Sequence, residues 1–331
     1  MQIINLCGKI KRTIISESLG LCVSNIPKNS INYIKDAINL EMGFANYRKT
    51  DKHIDLVFKK YLSPKENAAS YDNKIDYLIN KMICIRPFRF KQSYLYKKNR
   101  FCNPIDQIEY GDKFLKFINF MIAYSSEKIY NPYKIYDDHF FYDDKLIHII
   151  DNLRPTQTYS TKGKNINKCI EDLQNIGKLI DGFIQNEYDF KKLDYIINNL
   201  SYIHGEEYGL KHFVNSVNIL AMLLVKPNDK GNLKDLDTKL LNFIDDSINK
   251  NMIGYIRKIR NKITHGDFQK VSILLEEYAK IDMKNFNYDY FEFDRESWII
   301  SNLCIKTDKL LSKVLWLMLN DKNKLSKMQQ T

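Results

Sequence analysis

Apolar residues recur along this chain with the spacing of amphipathic helices over most of its length. Ser30 to Phe44, Ile54 to Leu62 and Lys74 to Ile85 show it first, with apolar positions three and four apart. Ile105 to Tyr124 is a longer stretch of the same kind, banded by Phe114, Phe117, Ile118, Phe120 and Met121. The strongest periodicity comes later. Ile166, Ile170, Leu173, Ile176, Ile180 and Ile184 mark one helix, and Leu210, Phe213, Val217, Leu220 and Leu224 mark another that ends near Pro227. Leu236, Leu240, Phe243 and Ile244 precede a helix carrying Met252, Ile253, Ile256, Ile259 and Ile263, and Ile299 to Met318 forms the last. Strand-like pieces are few: Ile14-Ile15 and Leu19 to Val23 before Pro27, and the alternation Phe88-Arg89-Phe90-Lys91.

The predicted fold class is therefore mainly α. Long amphipathic helices with short connections pack most simply as an antiparallel bundle, expected here in the C-terminal half. A mostly helical N-terminal domain with a small β element is expected before it. Residues 154–165 have the Pro, Gly and hydroxyl content of a connector. They divide the chain into an N-terminal domain, 1–153, and a bundle, 166–331.

Composition adds bounds rather than detail. The 331 residues suffice for two domains with substantial cores, and 44% hydrophobic with 27% charged residues is the balance of a globular protein. The longest apolar run, Ile219 to Val225, is too short to cross a bilayer. The N-terminus lacks a basic start followed by a long apolar stretch, so a cytoplasmic location and no membrane partner are expected. Six cysteines lie at 7, 22, 84, 102, 169 and 304, none at a metal or redox spacing, and read as buried reduced thiols.

Charge is unevenly distributed. Residues 1–100 hold 19 Lys and Arg against 8 Asp and Glu, whereas residues 101–331 hold 32 of each. The whole excess of +11 thus lies in the first hundred residues. Its densest patch runs from Arg86 to Phe101. There Arg86, Arg89, Lys91, Lys97, Lys98 and Arg100 alternate with Phe88, Phe90, Tyr94, Tyr96 and Phe101, with no acid. Cations neutralise phosphates and aromatic faces stack on unpaired bases, so the patch suits single-stranded RNA. An amphipathic hairpin with aromatics in the core and basic residues in water fits the same pattern.

The most informative segment is Arg260-Asn261-Lys262-Ile263-Thr264-His265-Gly266-Asp267. The apolar spacing upstream makes it the last turns of a helix, and Gly266 falls where a C-terminus favours positive φ. Asn261 and His265, four apart, share a face flanked by Arg260. A titratable ring, a fixed cation and an amide thereby cluster, a combination suited to phosphodiester cleavage without a metal. Basic residues in a last turn also simply complement the helix macrodipole, so a structural role for Arg260 and His265 stands beside the chemical one.

An Arg-Asn pair with histidine five residues after the arginine and glycine next resembles the motif of HEPN domains, and Ile-Arg-Asn-Lys-Ile-Thr-His-Gly looks most like the ApeA-like subgroup. The resemblance covers the C-terminal half. It implies a metal-independent endoribonuclease of the abortive-infection, anti-phage or toxin type. The ribose 2′-hydroxyl would be its nucleophile, and 2′,3′-cyclic phosphate ends its product. His265 would move a proton as general acid or base. Arg260 would hold the scissile phosphate, Asn261 would orient either of those side chains or the phosphate, and Lys262 would add to RNA binding. A homodimer would bring two motifs to one groove, and a helix C-terminus tilts one His265 toward the acid role. A phage-derived trigger or an antitoxin would be a further partner. No metal or cofactor is implied.

Two positions depart from the family pattern. Some HEPN toxins carry a tyrosine two residues after the histidine, modified by a nucleotidyltransferase antitoxin, where this chain has Asp267. Relatives often place a glutamate in an earlier core helix, where the nearest match here is Asn218. A non-catalytic HEPN-like module that binds RNA or protein is the alternative reading. Elsewhere, Asp137, Asp138, His139, Asp143 and Asp144 read as solvent-facing turn residues rather than metal ligands. His204 sits at an expected helix start with Glu206 and Glu207 in its first turn, and His212 reads as structural. Glycine-rich phosphate loops, nucleophile elbows and zinc spacings are absent.

Overall fold

A computed structural model describes residues 2–44, 52–87, 113–114, 116–118, 120–121, 132–134, 149, 153, 166–203, 209–225, 234–245, 248–284 and 295–330. It divides into two compact units, Met1–Phe190 and Lys191–Thr331. The structure is mostly helical, with one small antiparallel sheet near the N-terminus. Among the described residues no helix is long and apolar enough to cross a membrane.

The first unit is built on a sheet of β1 (Gln2–Cys7), β2 (Thr13–Ser16), β3 (Leu21–Asn25), β4 (Met82–Pro87) and β5 (Pro132–Lys134), in the order β2-β3-β4-β1-β5. Cross-strand partners put Ile3, Cys84 and Ser24 on one face and Ile4 and Ile83 on the other. On the Ile3–Cys84 face lie α1 (Ile31–Phe44), α2 (Lys52–Tyr61) and α4 (Tyr71–Ile79), with the short α3 (Pro64–Asn67) between the last two. Their buried stripes are Ile34, Ile38 and Met42, then Ile54, Val57 and Phe58, then Ile75, Leu78 and Ile79. Each repeats at helical spacing, which is why the sequence disclosed these helices. One boundary was misread. The expected helix Lys74 to Ile85 stops at Ile79, because Met82 to Ile85 pairs with β1 and β3.

A helix that the sequence assigns to the bundle belongs with this sheet instead. α5 (Ile166–Phe183) packs on β2. Asp181 accepts hydrogen bonds from Ser16 Oγ (2.6 Å) and from the backbone N–H groups of Glu17 and Ser18 (both 3.0 Å), tying the β2–β3 turn to the helix. The helix comes this close because Gly177 has no side chain. A Cβ there would overlap the carbonyl of Ile15. Gly177→Ala is expected to destabilise this unit by about 1–3 kcal/mol through overpacking against backbone that has no rotamer to yield. A lowered urea midpoint checks it. The compact units thus divide within α6 (Glu187–Ile203) rather than at 154–165, which lies outside the described residues.

The second unit is a helical bundle around α7 (Leu210–Leu224), whose buried face carries Phe213, Val217, Ile219, Leu220, Leu223 and Leu224. α11 (Arg295–Asn320) runs against it, burying Leu303, Leu310, Leu311, Val314 and Leu315. α8 (Lys234–Leu240) and α9 (Ile253–Thr264) pack on α7, and α10 (Phe268–Asp282) lies between α9 and α11. α12 (Lys322–Gln330) closes the chain against α7 and α11. The buried Lys239 donates to the carbonyls of Leu224 and Gln329, both at 3.0 Å, and so fastens the end of α7 to α12. Between α7 and α11, Asp308 accepts from Ser216 Oγ and bonds His212 Nε2, each at 2.8 Å. His212, which reads as structural in the sequence, is thus a buried element of the α7–α11 contact.

Candidate functional site

α9 positions the cluster singled out in the sequence. Ile253, Ile256 and Ile259 are buried, so the helix turns its other residues outward. These include Arg257, Lys258, Arg260 and Lys262, and no acid occurs in the helix. The helix ends as its glycine predicts. Gly266 has φ 70°, its N–H bonds Ile263 O at 3.0 Å, and Asp267 N–H bonds Lys262 O at 3.0 Å. That pair of bonds is a Schellman cap and satisfies the last carbonyls through backbone alone. His265 sits at the C-cap, its N–H bonded to Asn261 O (3.1 Å) and its side chain exposed.

Arg260 is half-buried and held by amides. Its Nε and Nη2 both donate to Asn218 Oδ1, at 3.2 and 2.9 Å, and its Nη1 donates to Asn261 Oδ1 at 3.3 Å. The structure therefore brings Asn218 of α7 to the arginine, and Asn261 steadies the same guanidinium. Three of the five N–H donors are engaged by neutral oxygens, and among the described residues no carboxylate bonds the guanidinium. Thr264 Oγ1 turns back to the carbonyls of Arg260 (3.1 Å) and Asn261 (2.9 Å).

Beyond the cap, Asp267 pairs with Lys262 at 2.9 Å and Lys270 at 3.5 Å. The hydrogen bond from Lys262 holds the Asp267 carboxyl below the usual range. Lys262 is thus engaged with an acid at the rim. Between α9 and α10 opens a groove of about 480 Å³, lined by Arg257, Lys258, Asn261, Lys262, Lys270, Ile273 and Leu274. Arg257 reaches back to Asp237 at 2.7 Å, and burial pushes that carboxyl up despite the arginine. Lys258 Nζ stands 5.2 Å from the centre of the Tyr255 ring.

The sequence reading passed over this groove. The signal was present in Val271, Leu275, Tyr278 and Ala279, whose spacing defines α10, and in the bare run of cations on α9.

The N-terminal patch is only partly visible. Arg86 lies in β4, half-buried, and its Nε donates to Ser24 Oγ at 3.1 Å. At least that guanidinium is engaged by the sheet. Arg89, Lys91, Lys97, Lys98 and Arg100 lie outside the described residues, as do Asp137, Asp138, His139, Asp143, Asp144, His204, Glu206 and Glu207. Among the described residues no group of three or more His, Cys, Asp or Glu is disposed to hold a metal ion. Compared with family models, with curated proteins and with solved structures, the chain has no match.

Proposed function

We propose that the second unit is a metal-independent endoribonuclease of the HEPN type, acting as a homodimer in anti-phage defence or as a toxin. The supporting observation is the arrangement at the end of α9, where Arg260 is oriented by Asn218 and Asn261 through neutral oxygens, one turn from the exposed His265. A fixed cation with two N–H donors to spare suits a phosphate, and an exposed imidazole five residues on suits proton transfer. In the reaction the 2′-oxygen of one ribose attacks the adjacent phosphorus, and the bond from phosphorus to the 5′-oxygen breaks. The 2′-hydroxyl proton passes to a base, and the leaving 5′-oxygen takes a proton from His265. The products are a 2′,3′-cyclic phosphate and a 5′-hydroxyl. His265 of the partner subunit supplies the base, and Arg260 steadies the added negative charge on the phosphoryl oxygens.

Purified protein incubated with total RNA in excess EDTA tests the reading, with ends identified by cyclic-phosphate-dependent ligation. Cuts bearing cyclic ends are expected. Intact RNA alongside measurable RNA binding would favour a non-catalytic binding module. Asn218 acts here as a positioning residue. Asn218→Ala is expected to slow cleavage by about tenfold, some 1.4 kcal/mol of barrier, with little change in affinity for uncleavable RNA. Asn218→Asp keeps an acceptor oxygen and should restore much of the rate. Equal losses in both variants would remove the positioning role.

A further inference from the structure

We propose that the groove between α9 and α10 is the track for single-stranded RNA leading to the Arg260–His265 pair. Its cations are Arg257, Lys258 and Lys262 from one wall and Lys270 from the other, over an apolar floor of Ile273 and Leu274. Asp237 and Asp267 pair with some of them, which leaves a net charge of about +2 along the groove, so the complementary occupant is a polyanion. The geometry favours a strand over a single phosphate. Arg257 and Asn261, four residues apart, line the groove, and His265 continues that helix face one turn further, so a strand following the face from Arg257 to His265 spans about 12 Å at 1.5 Å per residue. Phe268, 58% exposed, begins α10 three residues after His265, and Ile273, equally exposed, lines the groove. An aromatic ring and apolar floor beside cations take the faces of unpaired bases, whereas a folded duplex presents only its backbone. The choice of RNA rests on the ribonuclease reading, but the groove's affinity for a strand is separable from cleavage.

The test uses the full chain and a fluorescent 2′-O-methyl oligouridine, which lacks the attacking hydroxyl and is not cut. Wild type is expected to bind it. Lys258→Gln/Lys270→Gln, two exposed side chains, should weaken binding by about tenfold. It should also lower the slope of log affinity against log salt by about 1.4, the value for two phosphate contacts on a single strand. Asp267→Asn removes the acid at the rim and should tighten binding. No binding by wild type, or unchanged affinity and slope in the double variant, overturns the track. Unmodified RNA separates the two proposals. Binding through the groove with no cutting retires the nuclease and keeps the track. Cutting at an undiminished rate by the double variant keeps the nuclease and removes the track.

Discussion

On the proposed ribonuclease mechanism, replacing His265 by alanine is expected to lower the rate of RNA cleavage by two to four orders of magnitude while leaving the folding stability within about 0.5 kcal/mol. The kinetic half follows from loss of the proposed proton donor to the 5′-oxygen, at about 1.4 kcal/mol of barrier for each tenfold. The structural half follows from the way α9 ends. Gly266 at φ 70° and the Asp267 N–H to Lys262 O bond close the helix through backbone, and the histidine ring is exposed. A histidine that served only to cap would show the opposite pattern, lost stability with cleavage intact. Arg260→Ala should cost a comparable factor in rate, because it removes the fixed charge proposed to hold the phosphate. Arg260→Lys should not rescue it. An ammonium has neither the planar fork that Asn218 and Asn261 hold nor the same reach to a second ligand. Initial rates on a defined RNA and urea midpoints for the same preparations measure both halves together.

The largest stability effect is expected at a site away from that chemistry. Asp308→Ala should destabilise the second unit by about 3–5 kcal/mol, the usual cost of removing one member of a buried charged or hydrogen-bonded set. Asp308 is 1% exposed, His212 4% and Ser216 0%, so neither His212 Nε2 nor Ser216 Oγ has bulk water to replace the lost acceptor. Burial, and then the carboxylate itself, push the nearby Cys304 thiol well up, in keeping with a dry surrounding. Asp308→Asn preserves the shape and one acceptor oxygen and should lose markedly less. The check is the difference between the two urea midpoints. If alanine and asparagine cost the same, the acceptor oxygens matter less than the packing of α7 on α11.

Helices with one buried stripe were legible from sequence, as α1, α2, α5, α7, α9 and α11 attest. In each, apolar residues three and four apart proved to be those inside. The strand hints Ile14-Ile15 and Leu19 to Val23 became β2 and β3. β1 and β4 were harder to see because their residues are buried on both faces, Ile3 and Cys84 on one and Ile4 and Ile83 on the other. A strand covered twice loses the alternation that marks one covered once. The membership of α5 was not legible at all. Nothing in its own residues says that Asp181 will receive the β2–β3 turn, 163 to 165 positions earlier.

By itself the sequence determined that the chain is mainly helical, that α9 ends at Gly266, and that Arg260, Asn261 and His265 lie in the last turns of that helix. These properties are local. Helical spacing and the φ freedom of glycine act within a few residues, and a reader of the chain has all the residues concerned. Only the tertiary structure decided that Asn218, 42 residues before Arg260, is the acceptor for its guanidinium. It alone joined α5 to the sheet and set α10 beside α9 to open a groove of cations over an apolar floor. Such contacts depend on how helices lie against one another, which is fixed by the summed burial of many side chains and by close approaches such as Gly177 on Ile15.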